Sequence, residues 1–211
     1  MTPNHSKTDC VIYEGAVLSH AFTQEKDWMM NKKKIFKIIR KNLKLKKGDK
    51  ILEIGCNRGS YVRELQKGYE VYGIDVNEAA IKEGMANNLS VMSATKTDFP
   101  DCHFDKVYSS HVIEHIQDTN GLLKEIHRVL KPGGLFVFVY PFEVFRGMAA
   151  LRTSIKVFKN IFLANRIHVH KFTPSRIRKE IAGIGFEYID SKFFFANTPQ
   201  YITVLRKNED G

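Results

Sequence analysis

The stretch Ile51-Leu-Glu-Ile-Gly-Cys-Asn-Arg-Gly-Ser60 constrains the fold of this chain more than any other. Ile51, Leu52 and Ile54 form the short apolar run expected of a strand buried inside a parallel sheet. Gly55 and Gly59 interrupt that run, and glycine lets a backbone turn tightly or come close to a ligand. The spacing predicts a helix over 58–66 whose first N–H groups face back toward the turn. A strand, a glycine turn and a helix in that order make half of a βαβ unit, and the remaining chain must supply further units.

The next ninety or so residues read as such units. Glu70–Asp75 is a second strand that ends on an acid, and Asn77 is a helix N-cap for residues 78–87. A third short strand covers 89–92, a polar loop covers 95–103, and Phe104–Ser110 is a fourth strand. Asp118-Thr119 opens a helix that places Leu122, Leu123, Ile126, Val129 and Leu130 at helical spacing. Lys131-Pro-Gly-Gly134 stops it ahead of a fifth strand over 135–140. Thr173-Pro174 is an N-cap followed by proline at the first helical position. Phe186–Ala196 and 201–206 then form a hairpin across 197–200. The expected fold is α/β: a doubly wound, Rossmann-like, seven-stranded sheet, mostly parallel, with a C-terminal antiparallel hairpin and helices on both faces. Four regions follow: 1–47, an N-terminal segment with a basic amphipathic helix over about 22–43; 48–140, a ligand-binding core; 141–172, a lid of one or two helices and a loop; and 173–211, a helix and hairpin that complete the sheet.

At 211 residues, 43% hydrophobic and 27% charged, the chain has the size and composition of one globular domain with a modest insertion. It contains no apolar run of membrane-spanning length, and residues 1–9 lack the apolar core of a secretory signal, so a cytoplasmic location is expected. Cys10, Cys56 and Cys102 form no CxxC pair, which argues against a zinc site or a disulfide framework. The net charge of +10 suits an anionic membrane surface or an acidic substrate. It is compatible with nucleic acid without favouring it, and a solvated lysine-rich surface explains it equally well. Lys32, Lys33, Lys34, Lys37, Arg40 and Lys41 concentrate that charge on the N-terminal helix, whose Trp28, Ile35, Ile38, Ile39 and Leu43 can share the opposite face.

The glycine turn discriminates between cofactors. A dinucleotide site requires GxGxxG so that pyrophosphate can lie on bare backbone. Here the spacing is Gly55-x-x-x-Gly59, with Asn57 in between and Glu53 ahead of it. An acid at that place repels phosphate and favours a zwitterionic cofactor. The motif Glu53-x-Gly55-x-x-x-Gly59 followed by Asp75 resembles the class I S-adenosylmethionine-dependent methyltransferases, of the small-molecule, methyltransferase-11-like type. The resemblance covers about residues 48–140, through Phe99-Pro-Asp-Cys-His-Phe-Asp105, Ser109-Ser-His-Val-Ile-Glu-His115 and Leu123-Lys-Glu-Ile-His-Arg-Val-Leu-Lys-Pro-Gly-Gly134. A weaker echo continues in Phe172-Thr-Pro and Ala182-Gly-Ile-Gly-Phe186.

The resemblance implies S-adenosyl-L-methionine as cofactor. Glu53, Gly55, Cys56, Asn57 and Gly59 match the cradle for its methionine part, Asp75 the acid that accepts from both ribose hydroxyls, and Val76 the adenine face. Ser110 and His111, at the carboxyl end of the fourth strand, are further candidate cofactor-binding residues. Two departures stand out. Asn57 replaces a glycine common in the family, a substitution that asparagine's tolerance of left-handed backbone permits. Ser93, with Ala94 beside it, stands where the family often has an acid for the adenine amino group.

The acceptor is less defined. Ser109-Ser-His111 replaces the [N/D]-P-P-[Y/F] motif of methyltransferases acting on base or amide nitrogens. His111 is the candidate general base, while Glu114-His115 reads as orienting the loop. Tyr140, Glu143 and Arg146 after the fifth strand, with His168 and His170 alternating as on one face of a strand, are the candidate acceptor pocket; a metal site is not expected. The reading that follows is a methyltransferase acting on an O, N or C nucleophile of a small-molecule or lipid- or sugar-linked acceptor. Two alternatives are an RNA or protein methyltransferase docking an acidic partner through the basic helix, and a non-catalytic Rossmann-like binding module.

Overall fold

The computed structural model describes residues 29–209, except 146, 149–150, 152–153, 156–158, 164–167 and 197. Trp28 and the start of the basic helix before Met29 lie outside the described residues. Helix α1 (Met29–Leu43) leads to β1 (Lys50–Ile54), α2 (Ser60–Leu65), β2 (Glu70–Asp75), α3 (Glu78–Lys82), β3 (Leu89–Val91) and β4 (Phe104–Ser110). A 3-10 turn (Ile113–His115), α4 (Thr119–Val129), β5 (Leu130–Pro141), α5 (Pro174–Glu180), β6 (Phe186–Ala196) and β7 (Thr198–Lys207) follow. Seven strands form one sheet in the order β3-β2-β1-β4-β5-β7-β6. β1 to β5 pair in parallel, and β7 runs antiparallel to both β5 and β6. This is the expected mixed sheet. Among the described residues no helix is long and apolar enough to cross a membrane.

Strand alternation divides the interior into two cores. Phe136, Phe138 and Tyr140 of β5 pack on one face, with Leu52 and Ile54 of β1 and with Leu122, Leu123, Ile126 and Val129 of α4. Leu135, Val137 and Val139 pack on the other, with Ile51 and with Ile35, Ile39 and Leu43 of α1. Because β1 is covered on both sides, its apolar residues run on without alternation, as the sequence pattern predicted.

Several boundaries differ from expectation. α2 starts at Ser60 because Gly59, its N-cap, is left-handed at φ +74°. α3 is capped as predicted, with the Asn77 side chain accepting from Ala80 N–H, but stops at Lys82 rather than near residue 87. There the Met85 N–H donates to the Arg58 carbonyl at 2.8 Å and draws the chain onto the glycine turn. β7 begins at Thr198, so the hairpin connection is tighter than a 197–200 loop. Its first residues can enter the ladder because β5 extends to Pro141, which pairs with Gln200. Within the lid, the described residues include a 3-10 turn at Ile161–Leu163.

Candidate functional site

β1, β2 and β4 are parallel neighbours, with Ile54 opposite both Ile74 and Ser109. Their C-terminal ends therefore deliver the glycine turn, Asp75 and the Ser110-His111 pair to one edge of the sheet, where open α/β sheets bind ligands. The turn is pinned from below: Gly55 and Cys56 N–H both donate to the Ile74 carbonyl, at 2.8 and 3.0 Å. Gly55 has φ +73°, and a Cβ there would lie 2.3 Å from Val112 Cγ2. Asn57 is left-handed at φ 51°, as its chemistry allowed, and its Oδ1 accepts from Arg58 N–H at 2.8 Å.

Asp75 is fixed by both oxygens. Oδ2 accepts from Asn57 N–H at 2.8 Å and Oδ1 from Asn77 N–H at 2.9 Å. With the Val76 amide also bonding the carboxylate, acceptor capacity remains for a ribose hydroxyl. Burial raises the Asp75 carboxyl, and these amide bonds work against that shift. The Met92 N–H donates to the Asp75 carbonyl at 3.2 Å and so sets the loop carrying Ser93 and Ala94 beside the acid. Ser93 Oγ shares a 2.9 Å bond with Thr95 Oγ1, Ala94 is buried, and Val76 is exposed as an adenine-facing residue would be before ligand binds.

The charge around the turn is negative. Glu53 is buried and accepts from Tyr108 Oη at 3.0 Å. Burial, together with Glu53 and Asp75, pushes the Cys56 thiol far up, so Cys56 is an inert packing group. Gly73 leaves it room, since a Cβ there would lie 2.9 Å from its sulfur. Arg58, the cation within the turn, pairs with Glu83. Two carboxylates on bare glycine backbone suit a cationic, phosphate-free ligand. S-adenosylmethionine, with a sulfonium and an ammonium, fits this set; a pyrophosphate does not.

The second half of the site differs from expectation. His111, left-handed at φ 58°, has Nδ1 3.2 Å from Glu114 Oε1 and Nε2 3.2 Å from Gln200 Oε1. The Gln200 amide nitrogen already donates to the Ala196 carbonyl and Thr198 Oγ1, so its oxygen faces His111. Both ring nitrogens thus face carbonyl or carboxylate oxygens. Glu114 is 1% exposed. Burial raises its carboxyl, but the His111 bond and the nearby His115 and His168 outweigh that and hold it at about 2.

Tyr140 does not line a pocket. It is fully buried, and its hydroxyl shares a 3.1 Å bond with Thr203 Oγ1 inside the sheet. The strand rule explains this: Tyr140 continues the Phe136-Phe138 face into the core. Arg146 lies outside the described residues. His168 and His170 form no strand; side-chain anchors hold that segment in place of a ladder. His168 Nδ1 meets Glu143 Oε1 at 2.8 Å in a buried pair. Burial lowers the His168 ring, yet Glu143 and Glu114 more than compensate and raise it. His170 N–H donates to the Glu114 carbonyl at 3.2 Å, and its Nε2 lies 3.1 Å from the Gln117 carbonyl. Glu114, His115 and His168 also bring ligand atoms within 4.8 Å of one another, a grouping with no spacing signature. With His168 held toward its protonated form between two carboxylates, these charges already offset one another.

Sequence reasoning missed Gln200 and the partners of Glu114 and His168. Gln200 carries no local signal, because only the β5–β7 register brings it to His111.

Comparison with known proteins agrees with this geometry. A family model described as a methyltransferase domain matches residues 28–191. Sterol 24-C-methyltransferase ERG6B of Gibberella zeae is 37% identical over 107 residues, 45% of this chain and 28% of that protein. The chain therefore spans under a third of that relative's length. The ubiquinone/menaquinone biosynthesis C-methyltransferase UbiE of Neisseria meningitidis is 28% identical over 69% of this chain and 70% of its own length. A SAM-dependent methyltransferase structure from Methanosarcina mazei superposes with a TM-score of 0.62 at 23% identity, over 81% of this chain and 97% of that one. Motif, sheet order and family match converge: the chain belongs to the methyltransferase-domain family and has the fold of the class I S-adenosylmethionine-dependent methyltransferases.

Proposed function

We propose that this chain transfers a methyl group to a nucleophile of a small-molecule acceptor, with an amphipathic or lipid-linked acceptor favoured. When bound, S-adenosylmethionine supplies an electrophilic methyl on a sulfonium. The chain's residues do the rest. Gly55 and Gly59 open the backbone to the methionine part, Glu53 and Asp75 offset positive charge, and Asp75 accepts from the ribose. The observation that carries the reading is Asp75, locked at 2.8 and 2.9 Å between two amides beside the glycine turn. Much of the rate in such a displacement comes from orientation. His111, held on both sides by Glu114 and Gln200, suits a positioning role at the acceptor side better than that of a free base. The relatives named above are a sterol 24-C-methyltransferase and a ubiquinone/menaquinone biosynthesis C-methyltransferase, which supports an apolar acceptor here. The free Cys56 and Cys102 suit a reducing compartment, and we place the chain in the cytoplasm.

Calorimetry with S-adenosylmethionine tests the cofactor half. Wild type binds, and Asp75→Ala weakens binding by at least about tenfold, the loss of one charge-assisted hydrogen bond. Because Asp75 also holds two amides, melting of the ligand-free variant is recorded alongside. Unchanged affinity in a folded Asp75→Ala chain would refute the ribose role. Transfer of labelled methyl into the organic-extractable fraction of a lysate tests the acceptor half, and label confined to RNA or protein would overturn it.

A further inference from the structure

We infer that the end of the sheet that carries the site docks onto an anionic lipid surface. The inference deepens the lipid-acceptor reading and rests on it only for what is methylated; binding itself stands on two features that converge at one end of the sheet.

The first is charge. α1 contains no acidic residue, and Lys33, Lys34, Lys37, Arg40 and Lys41 are all exposed. None of the five is in a salt bridge among the described residues. The second is apolar exposure. On β6, Phe193 and Phe195 share one face and are 56% and 59% exposed, while Phe194 between them packs toward the α1 core. After β5, Val144 and Phe145 are 51% and 75% exposed. Large aromatic side chains left in water on adjacent segments mark an interaction surface.

The topology brings the two together. Lys34 Nζ donates to the Phe195 carbonyl at 2.6 Å, tying α1 to the end of β6. The Phe142 ring contacts Phe193, with centroids 5.8 Å apart, tying the start of the lid to the same strand. β7 is antiparallel to β5, so the end of β6 and the start of β7 lie at the C-terminal end of the parallel strands, where Gln200 reaches His111. α1 packs on one face of the sheet and Phe193 and Phe195 project from the other, so Lys33 and Lys34 near the start of α1 and the phenylalanines at the end of β6 reach a common surface at the end of the sheet that carries the site.

The occupant follows from chemistry. A second copy of a chain with net charge +10 is repelled by the basic helix, and Lys34 already caps the edge carbonyl that strand pairing would use. An anionic bilayer answers both features, with phosphates for the lysines and a headgroup–acyl boundary for Phe and Val. RNA answers the charge, but Val144 beside the phenylalanines offers no stacking face.

Co-sedimentation of the full chain with vesicles tests this. The chain pellets with vesicles of equal parts phosphatidylglycerol and phosphatidylcholine, and not with phosphatidylcholine alone. Lys33→Ala/Lys37→Ala weakens that binding roughly thirty-fold, at about 1 kcal/mol per basic residue near the surface. Phe195→Ser, at an exposed position, weakens it about tenfold or more, as expected for withdrawing a buried aromatic. Absent vesicle binding, or binding untouched by both variants, overturns the proposal. So does tighter retention on single-stranded RNA that the same variants abolish. Cofactor calorimetry on the same samples keeps the two readings apart. Vesicle binding without cofactor binding sinks the enzyme reading alone, and the reverse sinks this one alone.

Discussion

At the scale of single residues, the glycine turn is the best-read part of the molecule, because its constraints are local. Positive φ at Gly55, Asn57 and Gly59 follows from residue types visible in the chain. Gly55 is more restricted than conformation alone requires. A methyl there meets Val112 Cγ2 at 2.3 Å on top of a left-handed backbone. Gly55→Ala should therefore cost about 2–4 kcal/mol in urea unfolding, from roughly 1–2 for the backbone and the rest from overpacking. Val112→Ala removes only the steric part. The double variant should be more stable than the sum of the singles by about 1–3 kcal/mol; strict additivity in a double-mutant cycle would show that the contact carries no energy. Tyr140 illustrates the opposite case. Its place at the end of β5 suggested a pocket, but whether an aromatic at a strand end faces inward depends on pleat parity, and the Thr203 partner lies sixty-three residues away on β7.

Elements were legible wherever a cap or a period was present. Asn77, Asp118 and Thr173 all cap helices through their side chains, as their types promised. What escaped was the side-chain wiring between elements. α4 is tied to the loop after β3 by Glu125, whose Oε1 accepts from Thr97 N–H at 2.7 Å and Oγ1 at 2.6 Å. Both its oxygens also pair with Arg128, which reaches on to the Phe99 carbonyl at 2.8 Å. Burial raises Glu125, but the Arg128 and Thr97 bonds prevail and hold its carboxyl below the ordinary value. A carboxyl depressed in the folded state contributes stability that is complete above its unfolded pKa and is lost as pH falls through the folded one. Acid titration followed by urea melts should show wild type losing stability below about pH 4.3, the free Glu value, more steeply than Glu125→Gln. Parallel curves would mean that the network adds nothing pH-dependent. Glu125→Gln itself should cost about 1–3 kcal/mol at neutral pH, as Thr97 and Arg128 lose a charged partner.

For the whole molecule, alternation and strand–helix order specified one seven-stranded sheet, while register decided which distant residues meet. Gln200 reaches His111 only because β7 is antiparallel and pairs Gln200 with Pro141. Glu143 meets His168 across twenty-five residues of lid. Neither juxtaposition leaves a trace in local sequence, so the glycine turn and the strand-end acid could be placed from the chain while the wiring around His111 and His168 could not. The same architecture joins stability to the cofactor. The cradle is assembled from β1, β2 and the loop after β3, whose mutual hydrogen bonds run through Ile74 and Asp75. A ligand seated there binds the folded chain and not the unfolded one. S-adenosylmethionine at a hundred times its Kd should add about 2.7 kcal/mol, which for a chain of this length raises the melting temperature by about 5–10 °C. Asp75→Ala should melt lower than wild type without ligand, by about 1–3 kcal/mol for the unpaired Asn57 and Asn77 amides, and should gain at most about 1.4 kcal/mol when ligand is added at that same concentration, which is about ten times its weakened Kd. A variant that melts lower yet keeps the full ligand-induced shift would separate the two roles and reduce Asp75 to a turn anchor.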